Sequence, residues 1–308
     1  MRIEATGQLA ALFSSALLAC TTAGLAAEGA SSNYFPGAYG SLLPGVAPEP
    51  GGVLADLNLY YNAKASRAVL QGAANLSVEV EAYYNLIQGL YVWDTAAIGG
   101  RFAVGGYVPV GYASLGASIG ALSVSGDEVG LGDIGIIPAS FYWNSGNFHL
   151  NLYELVIAPT GEYSTSEAVN VGRNYWSFDT VAAVTWFNPE SGTEISIVPG
   201  IMINTRNKAT DYHTGTELHV DAMVNQFLSE TFALGVHGYA YRQVEGDSGS
   251  GAILGSFKGE SAGIGLAISW IPAAGGGNVA ISGKWLHDLT ATNRLEADYG
   301  VLSVGITF

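Results

Sequence analysis

Apolar and polar positions alternate along most of this chain. In residues 176–186 the even positions are Trp176, Phe178, Thr180, Ala182, Val184 and Trp186, and the odd ones are Ser177, Asp179, Val181, Ala183 and Thr185. In 217–225, Leu218, Val220, Ala222 and Val224 oppose Glu217, His219, Asp221, Met223 and Asn225. In 263–271, Ile264, Leu266, Ile268 and Trp270 oppose Gly263, Gly265, Ala267 and Ser269. A period of two is the signature of a strand with one apolar face. The pattern predicts strands at 53–62, 75–84, 86–94, 98–110, 112–124, 131–143, 147–159, 174–187, 193–205, 215–227, 231–243, 260–271, 277–287 and 299–308. Some of 75–94 reads equally as one long strand, and since single-chain bacterial barrels have even strand numbers, 12 stands beside 14 as the count. No helical period competes with this rhythm, and no longer repeat overlies it.

The direction of the apolar face decides the fold. Small or polar residues on one face and bulky apolar ones on the other reverse the order of a soluble barrel, whose inner face is apolar. Ten strand residues at ~3.3 Å each, tilted by roughly 45°, cover about 23 Å, close to the ~25 Å apolar band of an outer-membrane barrel. Tryptophans at both ends of 176–186 fit the two aromatic girdles of such a band. The expected fold is therefore all-β, a transmembrane antiparallel β-barrel of 12 to 14 strands. Trp176, Trp186, Trp270 and Trp285 are the expected girdle residues, and outer-membrane lipid is the expected surrounding. The last heptapeptide, with Leu302, Val304, Ile306 and Phe308 on one face, reads as a lipid-facing strand. Its terminal aromatic resembles the signal recognised by the barrel-assembly machinery.

Composition supports this reading. Charged residues make up 12% of the 308, against about 25% in soluble domains, and mean hydropathy is +0.27. Gly (42), Tyr (17) and Trp (6) are abundant. A lectin-like or jelly-roll domain is the soluble alternative, and the scarcity of charge argues against it. The net charge of −15 argues against nucleic-acid binding.

Residues 1–26 have the layout of a cleaved signal peptide: Arg2, an apolar core at Leu9–Ala19, and small residues at Gly24 and Ala26. A rival reading takes Leu17-Leu18-Ala19-Cys20 as a lipoprotein box with Cys20 lipidated. The outer membrane of a Gram-negative bacterium is the expected destination. Residues 27–52 are rich in Pro and Gly, with turn dipeptides at Pro36-Gly37, Pro44-Gly45 and Pro50-Gly51. They also carry Tyr34, Phe35, Tyr39, Leu42 and Leu43, too apolar for a solvated tail. The expectation is a segment that packs in the barrel mouth as a plug, ahead of a barrel over 53–308.

Several phrases in order are similar to the meta-pathway phenol-degradation family of outer-membrane channel-like proteins. They are Glu28–Gly37, Leu43–Gly51, "GLGDI" (Gly130–Ile134) with "FYW" (Phe141–Trp143), and "APTGEY" (Ala158–Tyr163). Further along come "VNVGRNYWSF" (Val169–Phe178), "NKATDYHTGTELHVD" (Asn207–Asp221) and "GYAYRQVEGDSG" (Gly238–Gly249). The resemblance implies a barrel and a place in aromatic-compound catabolism. It supplies no catalytic residues.

An enzyme needs a nucleophile beside a base, or paired carboxylates. "GDSG" (Gly246–Gly249) lies in a Gly/Ser-rich turn without His–Asp partners at telling positions. His219, Glu217 and Asp221 share one strand face at wall-lining spacing, and a metal would need a ligand from across the lumen. "SGDEVGLGD" (Ser125–Asp133) reads as an acidic loop, with Ca²⁺ as the alternative occupant. No cofactor is expected. Parity assigns Arg101, Tyr107, Asp179, Glu194, Glu217, His219, Asp221, Asn225, His237, Tyr239, Tyr241 and Lys284 to the lumen. Carboxylates outnumber bases there, which predicts weak cation preference. The tyrosines either form a site for a small hydrophobic or aromatic solute or simply fill a narrow barrel. The expected function is a passive outer-membrane channel for such solutes. The alternatives are a non-conducting structural or adhesive barrel and, third, an outer-membrane enzyme.

Overall fold

The computed structural model describes residues 28, 32–69, 74–95, 98–119, 121–253, 255–272 and 278–308. The expected signal peptide and Cys20 lie outside the described residues. Thirteen strands follow in order: β1 Gly51–Val69, β2 Ala74–Thr95, β3 Gly100–Ile119, β4 Leu122–Leu131, β5 Ile134–Ser145, β6 Phe148–Ala158 and β7 Ser177–Asn188. Then come β8 Thr193–Asn204, β9 Glu217–Ser229, β10 Phe232–Gln243, β11 Glu260–Trp270, β12 Val279–Thr292 and β13 Glu296–Thr307.

Each strand pairs antiparallel with its sequence neighbour, and β1 closes on β13 from Val53↔Thr307 to Lys64↔Glu296. The exception is local. β3 pairs with β4 over its second half (Val110↔Leu131) and with β5 over its first (Tyr107↔Gly135, Arg101↔Tyr142). β4 and β5 thus succeed one another along a single position in the wall, broken at Gly132-Asp133. The result is a closed 12-strand barrel with one extra strand, an even count as single-chain bacterial barrels have.

Three expected boundaries are corrected. Residues 75–84 and 86–94 are one strand, β2, and 98–110 and 112–119 are one strand, β3. Each continues because its ladder to the next strand is unbroken, Leu76↔Ile119 to Thr95↔Gly100. The acidic stretch 125–131 is strand β4 rather than a loop, held to β3 from Ile119↔Leu122 onward.

β1, β2 and β3 have 19, 22 and 20 residues, whereas β7 has 12. At ~3.3 Å per residue this is roughly 60–70 Å of chain against 40 Å, so the first hairpins rise beyond the rest of the rim. Tight connections join β5–β6, β7–β8 and β9–β10 at one end. Long loops 159–176, 205–216 and 244–259 crowd the other. In outer-membrane barrels the short turns are periplasmic and the long loops extracellular.

The outer face is apolar. Ile195, Ile197, Ile201 and Ile203 of β8 and Leu234 and Val236 of β10 are all exposed. So are Leu302, Val304, Ile306 and Phe308, the last at 72%. Trp176 faces outward near the long-loop end, Trp186 and Trp270 near the short-turn end, and Trp285 midway along β12. An aromatic ladder that parity did not single out crosses β2, β3 and β5 at the short-turn rim. Trp93–Phe102, Phe102–Phe141 and Phe141–Trp143 have ring centroids 5.7, 5.3 and 5.9 Å apart.

Candidate functional site: a strap through the lumen

Glu28 and residues 32–50 lie inside the barrel along its whole length, not only at its mouth. Glu28 lies among the long loops, where Asn207 Nδ2 donates to its carboxylate at 2.9 Å and Thr210 Oγ1 at 2.7 Å. Lower down, the Ser32 hydroxyl donates to Glu217 Oε2 at 2.8 Å. The Tyr34 hydroxyl and the Gly37 amide both donate to Asp221, at 3.2 and 2.8 Å. The Tyr39 hydroxyl donates to Asp179 at 2.7 Å, and the Leu43 amide to Glu194 at 2.9 Å. The Gly45 amide reaches Thr185 Oγ1 at 3.0 Å. At the short-turn end Arg101 donates to the Ala47 and Pro48 carbonyls and pairs with Glu49 at 3.0 Å.

This route follows from strap and wall chemistry together. Pro-Gly turns cannot enter a ladder, since Pro lacks an N–H and Gly37 sits at φ 84°. Strap amides that its own turns leave open find side-chain acceptors on the wall: Asp221 of β9 for Gly37, Glu194 of β8 for Leu43 and the Thr185 hydroxyl of β7 for Gly45. Close approach is built in at Gly45, where an added Cβ would lie 2.8 Å from the His149 carbonyl and 2.9 Å from that of Ala183.

The residues that parity sent inward lie together around the strap. Asp179, Glu194, Glu217, His219, Asp221, Asn225, His237, Tyr239, Tyr241 and Lys284 are all buried. His219 Nε2 is 2.9 Å from Asp179, and its ring stacks on Tyr34 with centroids 4.3 Å apart. Asn225 donates to Glu194 at 2.9 Å and to the Ser41 carbonyl at 3.1 Å, and His237 is 2.9 Å from Asn225. Tyr241 donates to Glu217 at 2.6 Å, Tyr239 donates to Asp288, and Lys284 donates to the Gly40 carbonyl. Arg101 stands apart at the lower rim, and Tyr107 lines a cavity beside the strap.

That cavity has a volume of about 370 Å³ and lies between the strap and β1–β3 in the long-loop half. Phe35, Tyr61, Tyr84, Tyr107 and Tyr299 supply rings, and Asp133 and Arg294 supply charge. Small-molecule sites typically measure 300–1,000 Å³ with mostly apolar walls and few polar groups. Parity missed Tyr34, Tyr39 and Arg294, which lie in no predicted strand, and Asp133, which lies in the predicted strand 131–143 at the point where the wall breaks between β4 and β5. Asp133 breaks the wall between β4 and β5. Its carboxylate accepts the Gly161 and Arg173 amides at 2.8 and 2.7 Å, latching loop 159–176 over the cavity. Glu128 accepts the Val171 amide beside it. At the outer lip, Asp211 joins two loops: the Ser250 hydroxyl and amide and Arg206 bind its carboxylate and hold it below the usual carboxylate range. Among the described residues no group of three or more His, Cys, Asp or Glu is placed to hold a metal ion.

The phrases shared with the phenol-degradation family meet in space. "GLGDI", "APTGEY" and "VNVGRNYW" converge at the Asp133 latch, while Glu28–Gly37 binds "NKATDYHTGTELHVD". A family model described as "Putative MetA-pathway of phenol degradation" matches residues 63–304. The chain belongs to this family. The match starts within β1, so the strap lies outside it. Among solved structures, the COG4313 outer membrane channel from Pseudomonas putida F1 aligns over 90% of this chain and 100% of its own, with TM-score 0.69 and 17% identity. The transport unit of the autotransporter AIDA-I from Escherichia coli aligns over 84% and 90%, with TM-score 0.50 and 12% identity. At such identities the likeness is one of fold, that of outer-membrane β-barrels. No curated protein matches the chain by sequence.

Proposed function

We propose that this protein is a non-enzymatic outer-membrane channel for passive uptake of small hydrophobic or aromatic compounds, linked to aromatic catabolism, with the strap as its plug. The observation that carries this reading is the pairing of a displaceable strap with a ring-lined cavity beside it. The strap is held by side-chain hydrogen bonds rather than by a strand ladder, so it can leave without opening the wall. The cavity offers an incoming ring apolar contact on several sides and polar groups at its edge. Family membership and the fold of the Pseudomonas channel support the reading. In it, Asp179, Glu194, Glu217 and Asp221 are strap anchors first and lumen charges once the strap moves, giving weak cation preference.

A second reading, a non-conducting structural barrel, draws on the same strap, whose anchors run from the long-loop end to the short-turn end of the lumen. Planar-bilayer conductance of refolded residues 27–308, with and without residues 28–50, separates the two. The channel reading expects small or intermittent conductance that rises on deletion, with reversal potentials toward the cation limit. Silence from a folded, heat-modifiable barrel in both forms would remove the channel reading.

A further inference from the structure

The lipid-facing wall departs from its apolar rule in two places: at Glu154 and Thr180 on β6 and β7, a single pair joined by one hydrogen bond, and more extensively on β1 and β2. Leu54 points outward, but the next outward positions on β1 are Asp56 and Asn58, while Leu59 between Asn58 and Tyr60 turns in to pack with Leu86 and Val301. Asn58 lies opposite Asn85 in the β1–β2 ladder. Asn58 Nδ2 donates to Asp56 Oδ1 at 2.9 Å, and Asn85 Nδ2 donates to Asp56 Oδ1 at 2.5 Å and to Asn58 Oδ1 at 3.1 Å. The Tyr83 hydroxyl also donates to Asn58. Exposed apolar side chains ring this island: Ile87, Val110, Leu302 and Val304.

The island lies within the hydrocarbon band, not at its rim. Above it Tyr60 and Trp285 make a ring contact at 5.8 Å, and below it Trp93 meets Phe102 at 5.7 Å. Asp56 is four strand positions below Tyr60, about 10 Å along the membrane normal at ~3.3 Å per residue and a roughly 40° tilt. Acyl chains add no partner to those the carboxylate and the two amides give one another, and a charge on the lipid face is costly at this depth. Headgroups sit too far above to reach it.

We propose that a second copy of this chain covers this face, through a two-fold interface centred on Asp56, Asn58 and Asn85. An isologous contact requires a patch that complements itself. Here a carboxylate acceptor and amide donors stand side by side, so a two-fold axis between them sets each copy's Asp56 against the other's amides. Asn58 holds an N–H beyond the one it gives its own Asp56. The ring of Ile87, Val110, Leu302 and Val304 packs around the polar centre and keeps lipid from it.

The test uses the full chain with Cys20→Ser, which removes its single cysteine, carrying either Ile87→Cys beside the island or Val236→Cys on the exposed face of β10, where the ladder neighbours Val224 and Leu266 are apolar. A short bis-maleimide is applied in native outer membranes. Dimer is expected from Ile87→Cys and about tenfold less from Val236→Cys. Adding Asn58→Leu, or Asp56→Leu with Asn58→Leu and Asn85→Leu, should abolish it while heat-modifiability reports an intact barrel. Independently, wild-type protein extracted in mild detergent should have the mass of two chains. Equal cross-linking at both positions, a single-chain mass, or a different protein held at this face would each overturn the proposal.

Discussion

Asp221 concentrates the hold on the strap in one side chain, since it accepts from both the Tyr34 hydroxyl and the Gly37 amide. Hydrogen bonds to charged groups contribute about 1.5–3 kcal/mol each. Losing both, about 3–6 kcal/mol together, Asp221→Ala should shift strap release by roughly 100-fold or more, seen as longer open times in bilayers and faster proteolysis between residues 34 and 43. Unchanged gating and proteolysis would remove Asp221 from the anchoring role. Gly45 tests the same segment by volume rather than charge. Its missing Cβ leaves room against two carbonyls of β6 and β7, so Gly45→Val should expel the lower strap and raise conductance without deleting a residue. A Gly45→Val protein with wild-type conductance and a protected strap would contradict the close approach.

At the scale of elements, the break at Gly132-Asp133 joins wall to loop. β4 and β5 share one wall position because Asp133 turns away from the ladder to accept two amides of loop 159–176. Asp133→Ala leaves those amides without their acceptor, at a cost of about 1–3 kcal/mol. Hydrogen exchange at Gly161 and Arg173 should speed up by roughly 10- to 100-fold, with β7–β10 unaffected. If solute entry depends on this loop, uptake changes with it; faster exchange with unchanged uptake would separate the latch from transport. The long β1–β3 strands belong to this scale too: their ladder has no break, so the turn-like Gly at 105–106 and 111 does not end β3.

For the whole molecule, closure is a matter of the two ends meeting. Gly52 and Phe308 exchange backbone hydrogen bonds at 2.8 and 2.9 Å, and Phe308 turns its ring outward. A ring so exposed adds little to packing, so Phe308→Ala should lower the yield of assembled barrel in cells while protein refolded in detergent keeps its heat-modifiable mobility. Equal loss in both settings would make Phe308 a packing residue instead of a recognition signal.

The alternation of residues 176–186, 217–225 and 263–271 by itself determined the all-β barrel and its outward apolar face, and set Asp179, Glu217, His219, Asp221 and Asn225 on the opposite face. Period two assigns each side chain to one of two faces, and in a membrane only one of them can be apolar. Local pattern had no such hold on what crosses from one element to another. That 75–94 is one strand was set by its partner β3. That the Pro/Gly segment runs the full lumen was decided by carboxylates on β7, β8 and β9, more than a hundred positions away in sequence. Tyr34 and Tyr39 belong to no predicted strand, and Asp133 sits where the predicted strand 131–143 breaks, so their partners appear only when the barrel closes. The polar island of Asp56, Asn58 and Asn85 was equally hidden: whether a polar side chain on a strand faces lumen or lipid depends on register, and register is fixed by the neighbouring strands.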